Sequence, residues 1–248
     1  MIKILAVGNS FSQDATTYLY DMAKSAGVEV KVVNLYIGGC PLELHAKNIE
    51  ENLQAYEYQL NGRPTGRMAS VEEALAEENW DFITVQQSSH DSGIADSYYP
   101  YITELTDYIK ARTTSAEILI HQTWAYETDS DHFAFGRYNH DQQQMYKALC
   151  GAYDLAAERT GLKQINCGDV IQTLRGLPEF DYAAGGQSLC RDGYHMHLVY
   201  GRYATAAVWF KTLCGGDVSD ISFIPEGDAD MRLIEIIKQT VQDTARLK

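Results

Sequence analysis

The chain has 248 residues, of which 45% are hydrophobic, and a formal net charge of −14. This length and composition fit one α/β domain spanning residues 1–248 with a sizeable core. The negative charge argues against a nucleic-acid partner and against docking on anionic membranes. The five cysteines are widely spaced and form no C-x-x-C pair, so neither a zinc knuckle nor a thioredoxin-type motif is indicated.

Short apolar runs alternate with segments of helical periodicity in the first half of the chain. Buried strands are predicted over residues 2–7, 28–35 and 82–86. Helices are predicted over residues 15–26, 71–78 and 98–112, with one or two further helices over 42–60 and a loop over 62–66.

The second half of the chain continues the alternation. Strands are predicted over residues 117–121 and 162–167, and helices over 139–159, 204–213 and 230–246. Short buried strands that alternate with helices predict an α/β fold with a mostly parallel sheet of about five strands, covered by helices on both faces. Because ligands bind at the carboxyl ends of the strands in such sheets, functional residues are expected in the segments that leave those ends.

A candidate nucleophile follows the first predicted strand. Residues 8–12 read Gly-Asn-Ser-Phe-Ser, which places Ser10 on a tight turn before a helix-like stretch. A serine there exposes its hydroxyl at the edge of the sheet, and its own N–H lies near a helix N-terminus, where it can help to hold an oxyanion. The alternative is that Ser10 or Ser12 only caps the helix.

A candidate base and its partner lie far along the chain. Asp192 and His195 are three residues apart in a short turn before an apolar, helix-like stretch. A serine hydroxyl needs a base, and the base needs a partner that fixes its tautomer and stabilises the imidazolium. The chain order serine, aspartate, histidine supplies all three parts of a hydrolytic site.

The two motifs together resemble those of the SGNH (GDSL-like) hydrolase superfamily. The first block of that family usually reads Gly-Asp-Ser-x-Ser, and here Asn9 replaces the aspartate. The resemblance implies a flavodoxin-like, three-layer α/β/α fold and the hydrolysis of esters, often of acetyl groups on carbohydrates. It also implies Ser10 as nucleophile, His195 as general base and Asp192 as the partner of the base.

The resemblance leaves the oxyanion donors open. Besides Ser10, the family uses a glycine N–H after the second strand, where this chain has Gly38 and Gly39; Gly39 is preferred, and the alternative is that the pair only forms a turn. The third block of the family usually reads Gly-x-Asn-Asp, and no asparagine stands at that place here. The Gln87 side chain is the first candidate for the missing donor, and His90 is the second. Without either, the rate would fall about a hundredfold or more.

The substrate-binding candidates lie on the same edge of the predicted sheet. They are Asn9, Gln86, His90 and Trp124. Trp124 and Tyr126 could form a stacking wall for a sugar ring, or they could pack in the core or at its rim. The polar, irregular segment 126–138 could be a substrate loop or lid, or an ordinary surface excursion.

No cofactor or metal is predicted. His195 and His197 lie two positions apart near Asp192, but a zinc site needs a third clear protein ligand, and His90 and Asp91 do not clearly supply one. The chain enters its first strand without a basic and apolar leader and holds no segment long enough to span a bilayer. A cytoplasmic location is expected, with a secreted form whose leader has been removed as the alternative.

Three functional hypotheses follow from these features. The first is a serine esterase that acts on a small-molecule or carbohydrate ester with a small acyl group such as acetyl. The second is a carbohydrate-binding or regulatory module with a decayed site on the same fold, which the missing Gly-x-Asn-Asp block favours. The third is a flavodoxin-like domain that binds phosphate at residues 8–12, which the lack of lysine and of further glycines in that loop disfavours.

Overall fold

Seven strands form one sheet at the centre of the protein. The computed structural model describes all residues, 1–248. In chain order the strands are β1 (Ile2–Gly8), β2 (Val30–Tyr36), β3 (Tyr56–Leu60), β4 (Arg63–Ala69), β5 (Phe82–Val85), β6 (Glu117–His121) and β7 (Lys163–Ile165). Their order across the sheet is β4-β3-β2-β1-β5-β6-β7, with β1 in the middle.

Helices cover both faces of the sheet. In chain order they are α1 (Ser10–Thr16), α2 (Leu19–Ser25), α3 (Leu42–Glu50), α4 (Val71–Glu77), α5 (Tyr101–Lys110), α6 (Gln142–Thr160), α7 (Cys167–Arg175), α8 (Tyr200–Trp209) and α9 (Met231–Thr244). Helix α8 contacts α1, α2, α7 and α9 in one layer, whereas α3 contacts α4 and α5 in the other. The predicted α/β class with helices on both faces is confirmed. None of these helices combines the length and the apolar character that crossing a bilayer requires.

The central strands are parallel because helical segments return the chain between them. Strand β1 pairs in parallel with β2 and β5, and β6 pairs in parallel with β5 and β7. Residues 4–7 of β1 are all buried, as expected for a strand covered on both faces. The order β2-β1-β5-β6-β7 is flavodoxin-like, and it brings the carboxyl ends of these five strands to one edge.

The number of strands and the segment after α3 differ from the prediction. Helices were expected over residues 42–60, but α3 ends at Glu50, and the antiparallel hairpin of β3 and β4 follows. Asn61 and Gly62 form its turn, with positive φ angles of 51° and 79°, and Asn-Gly is typical of two-residue hairpin turns. Because β3 pairs with β2, the hairpin extends the sheet to seven strands instead of about five.

Candidate active site

Ser10 is the first residue of α1, directly after the turn that ends β1. The helix begins here, and not at residue 15 as predicted, because the Asn9 side chain caps it by accepting the Phe11 N–H at 3.0 Å. The cap is therefore Asn9, and neither Ser10 nor Ser12 serves as one. Ser10 contributes one of the first helical N–H groups, which have no acceptor within the helix. The buried hydroxyl of Ser12 donates to the Asn34 side chain at 2.7 Å.

Gly8 permits the close contact between the end of β1 and the first turn of α1. A Cβ atom at this position would lie 2.4 Å from Oγ of Ser12 and 2.9 Å from its Cβ. Such distances are shorter than van der Waals contact, so a larger residue would force the helix away from the strand. The glycine of the first motif thus keeps Ser10 at the edge of the sheet.

The imidazole of His195 lies between the Ser10 hydroxyl and the Asp192 carboxylate. Its Nε2 is 2.9 Å from Ser10 Oγ, and its Nδ1 is 2.7 Å from Asp192 Oδ2. Because an ionised carboxylate only accepts hydrogen bonds, Nδ1 carries the proton and Nε2 accepts from the serine hydroxyl. The structure thus brings together three side chains, although Ser10 and His195 are 185 positions apart in the chain.

The surroundings of Asp192 favour its ionised form. Partial burial raises the pKa of this carboxyl, but hydrogen bonds from the ring and the backbone N–H of His195 outweigh that effect and lower the pKa below its ordinary value. Asp192 Oδ1 accepts the backbone N–H groups of His195 at 2.8 Å and of Tyr194 at 3.3 Å. The carboxylate therefore holds both the ring and the backbone of the turn.

The turn that carries Asp192 and His195 requires glycine at position 193. Gly193 has a φ of +82°, and a Cβ atom there would lie 2.8 Å from Cα of Ser130. The Gly193 carbonyl accepts the Glu127 N–H at 2.7 Å. The next carbonyl, that of Tyr194, accepts the indole N–H of Trp124 at 2.8 Å. Residues of the segment after β6 therefore hold the turn in place.

Trp124 holds the turn from inside the protein. Its side chain is fully buried, and its ring stacks on that of Phe11 with 4.3 Å between the centroids. Tyr126 is also fully buried and donates its hydroxyl hydrogen to Ser89 Oγ at 3.0 Å. Of the two interpretations, core packing is the one that the structure supports, because these buried rings are out of reach of a ligand. The prediction of Trp124 as a substrate-binding residue is corrected accordingly.

The Gln87 side chain does not supply the missing oxyanion donor. Its amide nitrogen donates to the carbonyl and hydroxyl oxygens of Ser97 at 3.1 and 3.0 Å, which uses both of its hydrogens. Its amide oxygen accepts the N–H groups of Leu42 and Ser88 at 2.9 and 2.8 Å. Gln87 is 1% exposed and connects the start of α3 to the segment after β5, so its contribution is structural.

Asn9 and Gln86, which were also predicted to bind substrate, are buried and hydrogen-bonded to each other. Gln86 Nε2 donates to Asn9 Oδ1 at 2.7 Å, and Gln86 Oε1 lies 2.7 Å from Nδ1 of His121. Asn9 Nδ2 donates to the carbonyl of Cys40 at 3.0 Å. Both side chains are 1% exposed, so they support the site and do not line it.

The turn after β2 offers a backbone donor. Gly39 is exposed, has a φ of +63°, and donates its N–H to no group of the protein. The bond from Asn9 to the Cys40 carbonyl ties this turn to the residue before Ser10. Gly38, the other candidate, is also exposed, and a Cβ atom there would lie 3.2 Å from the hydroxyl of Tyr36. A free N–H of Gly39 is therefore held in a segment that is bonded to the start of α1.

Aromatic rings extend from His195 to the surface. The ring centroids of Tyr194 and His195 are 4.3 Å apart, those of His132 and Tyr194 are 4.8 Å apart, and those of Phe133 and His132 are 4.6 Å apart. Phe133 is 76% exposed, and His90 lies 6.0 Å from it. We refer to Tyr194, His132, Phe133 and His90 as the aromatic rim.

The aromatic rim includes part of the segment 126–138, which was expected to be a substrate loop or lid, or a surface excursion. Phe133–Tyr138 form a short 3-10 helix, and Arg137 bonds to the carbonyl of His90 and pairs with Asp91 at 3.3 Å. Burial and the neighbouring rings of His90 and His195 lower the pKa of His132. The neutral form of His132 is therefore favoured beside the site.

A buried aspartate for which the sequence predicted no role in the site anchors the turn to the helix of Ser10. Asp14 is fully buried and lies one helical turn after Ser10. Its carboxylate accepts the backbone N–H of Met196 at 2.8 Å and pairs with Arg191 at 3.1 Å and Arg202 at 2.7 Å. The one sequence signal for this anchor is the arginine directly before Asp192, which offers a charge opposite to that of Asp14.

The candidate site is open to the surface. Five clefts elsewhere on the protein have volumes of about 270 to 690 Å³, and neither Ser10 nor His195 lines any of these five. The His195 side chain is 21% exposed. An open site of this kind can admit one group of a larger molecule.

A serine, a histidine and an aspartate lie together at the carboxyl edge of a flavodoxin-like sheet, and the fold of this protein is that of the SGNH hydrolases. An acetylxylan esterase from Geobacillus stearothermophilus is 14% identical with a TM-score of 0.54, over 90% of this chain and 94% of the other. A candidate SGNH hydrolase from Slackia heliotrinireducens is 22% identical with a TM-score of 0.53, over 83% of this chain and 95% of the other. At such identities the likeness shows the fold alone.

The chain belongs to the DUF4886 family, described as a domain of unknown function, whose model matches residues 3–244. A DUF4886 family protein from Bacteroides uniformis, known from a crystal structure, is 38% identical with a TM-score of 0.90, over 98% of this chain and 93% of the other. A comparison with curated proteins found no match.

Proposed function

We propose that the protein is a serine-dependent ester hydrolase in which Ser10 is the nucleophile. The observation that carries this proposal is the position of His195, with Nε2 2.9 Å from Ser10 Oγ and Nδ1 2.7 Å from Asp192 Oδ2. A histidine bonded in this way can remove the serine proton while the aspartate stabilises the imidazolium that forms. The fold, which the protein has in common with known esterases, supports the proposal.

In the first half-reaction, Ser10 Oγ attacks the ester carbonyl carbon while His195 Nε2 takes the hydroxyl proton. The π electrons of the carbonyl move to its oxygen, which the N–H groups of Ser10 and Gly39 stabilise. The tetrahedral intermediate then collapses, the bond to the alcohol oxygen breaks, and His195 returns its proton to the leaving alkoxide. The acyl group remains on Ser10.

In the second half-reaction, a water molecule takes the place of the alcohol. His195 Nε2 removes a proton from this water as its oxygen attacks the acyl carbon, and the same proton returns to Ser10 Oγ when the carboxylic acid leaves. Asp192 keeps the imidazole in one tautomer and one orientation throughout. These steps use only protein side chains, backbone N–H groups and water.

The oxyanion would be held mainly by backbone donors. Ser10 N–H lies at the start of α1, where the helix dipole adds to its positive partial charge. Because the Gln87 amide is bonded to Ser97, His90 is the remaining candidate for a third donor. Its side chain is 27% exposed, and its Nε2 lies 3.2 Å from the hydroxyl of Ser88.

The proposed substrate is a neutral ester with a small acyl group, and acetyl on a carbohydrate is the preferred case. A protein with a net charge of −14 disfavours strongly anionic substrates. The exposed ring of Phe133 in the aromatic rim offers a face on which the apolar side of a sugar ring can stack. One structural relative is an acetylxylan esterase, which supports this class of substrate.

A second candidate function is a carbohydrate-binding or regulatory module that no longer turns over its ligand. The observation that favours it is the bonding of Gln87 to Ser97, which leaves the Gln87 side chain unable to replace the family's third oxyanion donor. This alternative predicts binding without hydrolysis and no effect of Ser10→Ala on binding.

Hydrolysis of p-nitrophenyl acetate and butyrate by wild type, Ser10→Ala and His195→Ala tests the proposal. We expect wild type to turn over and both variants to lose activity by on the order of 10³-fold or more. His197→Ala is a matched control, since this histidine is close in sequence but its Nδ1 accepts the N–H of Val199 at 3.2 Å. Its activity should stay near that of wild type.

Covalent labelling with a fluorophosphonate tests the nucleophile without any assumption about the substrate. We expect mass spectrometry to find the adduct on Ser10 in wild type and to find far less of it in His195→Ala, because the base activates the hydroxyl. If wild type neither hydrolyses the esters nor reacts with the fluorophosphonate, the esterase proposal is wrong and the binding module becomes the better explanation.

A further inference from the structure

A chain of buried hydrogen bonds runs beneath Ser10. It leads from the carbonyl of Cys40 through the side chains of Asn9 and Gln86 to the ring of His121, with distances of 3.0, 2.7 and 2.7 Å. These three side chains are at most 1% exposed. In this low-dielectric setting each bond is strong, and each lost partner is costly.

The directions of these bonds follow from the backbone. The Phe11 N–H can only donate, so the atom that accepts it at 3.0 Å is Oδ1 of Asn9, and Nδ2 of Asn9 faces the Cys40 carbonyl. Oδ1 also accepts Nε2 of Gln86, which leaves Oε1 of Gln86 as an acceptor for the Nδ1–H of His121. Burial lowers the pKa of His121 to about 3, so the ring is neutral and supplies this single proton.

Asn9 therefore touches both segments that carry the proposed oxyanion donors. Its Oδ1 caps α1 through Phe11 and so fixes the first turn of the helix, which includes the N–H of Ser10. Its Nδ2 holds the Cys40 carbonyl and so fixes the turn that includes the N–H of Gly39. No other side-chain hydrogen bond joins these two segments.

We propose that Asn9 is a positioning residue that sets the separation between the N–H groups of Ser10 and Gly39, with Gln86 and His121 holding its amide in one orientation. This inference rests on the proposed ester hydrolysis, in which those two N–H groups bind the oxyanion. Oxyanion stabilisation depends on donors held in place before the charge develops. A donor that drifts by a fraction of an ångström loses much of its effect on the transition state and little of its effect on the bound substrate.

Two substitutions separate the cap from the link to Cys40. In Asn9→Ser the helix cap is retained, because serine caps about as well as asparagine, but the short side chain cannot reach the Cys40 carbonyl. In Asn9→Asp the cap is also retained, but the carboxylate cannot donate to that carbonyl. Both variants keep Ser10, His195 and Asp192 unchanged.

Asn166 provides the matched control. It is also 1% exposed, its Nδ2 donates to the carbonyl of Thr244 at 3.0 Å, and its Oδ1 accepts the N–H of Arg246 at 2.9 Å. The substitutions Asn166→Ser and Asn166→Asp thus break the same kind of bond at the same depth, at the N-terminus of α7. They report the cost in stability without a change in the proposed oxyanion donors.

The measurements are kcat and KM with p-nitrophenyl acetate and the inhibition constant of an aryl trifluoromethyl ketone, which forms a tetrahedral adduct with a serine. We expect both Asn9 variants to lower kcat by about 10²-fold or more, to weaken the inhibitor by a similar factor and to leave KM nearly unchanged. The Asn166 variants should match wild type in all three quantities. Circular dichroism and urea unfolding establish that each variant is folded.

Three results would overturn the inference. The first is that the Asn9 variants have the same kcat and the same inhibition constant as the Asn166 variants. The second is a loss that appears in KM alone. The third concerns Gln86→Met, which replaces the Asn9 variants if they do not fold. This variant keeps Asn9 but removes the bond that orients its amide, so an unchanged kcat also contradicts the inference.

A wild type that is itself unreactive overturns the proposed function, whereas normal wild-type activity with active Asn9 variants overturns only this inference.

Discussion

Asp14 and Arg191 form an ion pair in which one guanidinium nitrogen, Nη1, lies 3.1 Å from both carboxylate oxygens. Asp14 belongs to the helix that begins at Ser10, and Arg191 directly precedes Asp192. The same carboxylate accepts the N–H of Met196 at 2.8 Å, so it holds the turn at both ends. One side chain thus joins two parts of the site that are far apart in the chain.

The substitution Asp14→Asn should destabilise the protein and lower its activity. Asp14 is fully buried, whereas the side chains of Arg191 and Arg202 are 28% and 18% exposed and keep some access to water. We expect the free energy of unfolding in urea to fall by about 2–4 kcal/mol, somewhat less than for a fully buried pair. The control Asp107→Asn breaks a pair at 3.5 Å in which the aspartate is 65% exposed, and it should cost less than about 0.5 kcal/mol. Equal unfolding midpoints for the two variants would contradict the anchoring by Asp14.

The lowered pKa of Asp192 predicts a loss of stability in acid. Because the carboxyl is more acidic in the folded than in the unfolded chain, its contribution is complete above the unfolded pKa of about 3.9 and is lost as the pH falls through the folded value. Asp192→Asn should therefore be less stable than wild type at pH 7, and the difference in melting temperature should shrink below about pH 4. Thermal unfolding at several pH values measures this difference. A difference that stays constant down to pH 3 would show that the carboxylate is not its source.

Trp124→Phe should separate the packing of the indole from its hydrogen bond. The smaller ring can still stack on Phe11 but loses the bond to the carbonyl of Tyr194, so we expect a loss of about 1–2 kcal/mol in stability and a several-fold lower kcat at unchanged KM. Trp80→Phe is the control, since Trp80 is 1% exposed and its Nε1 donates to the carbonyl of Ala74 at 3.0 Å, outside the site. It should lose similar stability and keep its kcat. A higher KM for sugar esters in Trp124→Phe, at normal kcat, would instead favour direct contact with the substrate.

Phe133→Ala tests the aromatic rim as the place for the alcohol part of the substrate. The ring is 76% exposed, so its removal should change stability by less than about 0.5 kcal/mol. We expect KM for an acetylated sugar to rise about 2- to 10-fold, from the loss of a stacking contact, and the hydrolysis of ethyl acetate to stay unchanged. Met68→Ala, at a 50% exposed residue of β4, is the surface control. An unaltered KM for the sugar ester would place the alcohol part elsewhere.

The fold and the central geometry of the candidate site could be predicted because they depend on simple local patterns. Apolar runs that alternate with helices imply a parallel sheet, and parallel strands bring their carboxyl ends to one edge. The spacing of Asp192 and His195 predicts a turn that can aim a carboxylate at an imidazole. The structure places that imidazole 2.9 Å from Ser10 Oγ.

The errors concern residues whose partners lie far away in the sequence. An exposed glutamine and a buried one look alike in a sequence, and both amide hydrogens of Gln87 are used by Ser97, which lies in a short 3-10 helix ten residues further along the chain. The sequence correctly placed Trp124 in the segment that follows β6. The direction of its ring could not be predicted, because it depends on contacts with Phe11 and Tyr194, which are far away in the chain. The hairpin had a readable signal in Asn61-Gly62, but the leucines and charges before it favoured helix.

That hairpin changes the position of β1, and so of the nucleophile that follows it, within the sheet. With β3 and β4 added beyond β2, three strands lie on each side of β1; without them β1 would be one strand from an open edge. Strand edges fray and exchange their amide hydrogens readily, whereas interior strands open only with the whole sheet. Ser10 therefore follows directly after a strand of the sheet interior, and we expect that strand to be among the last parts of the chain to open.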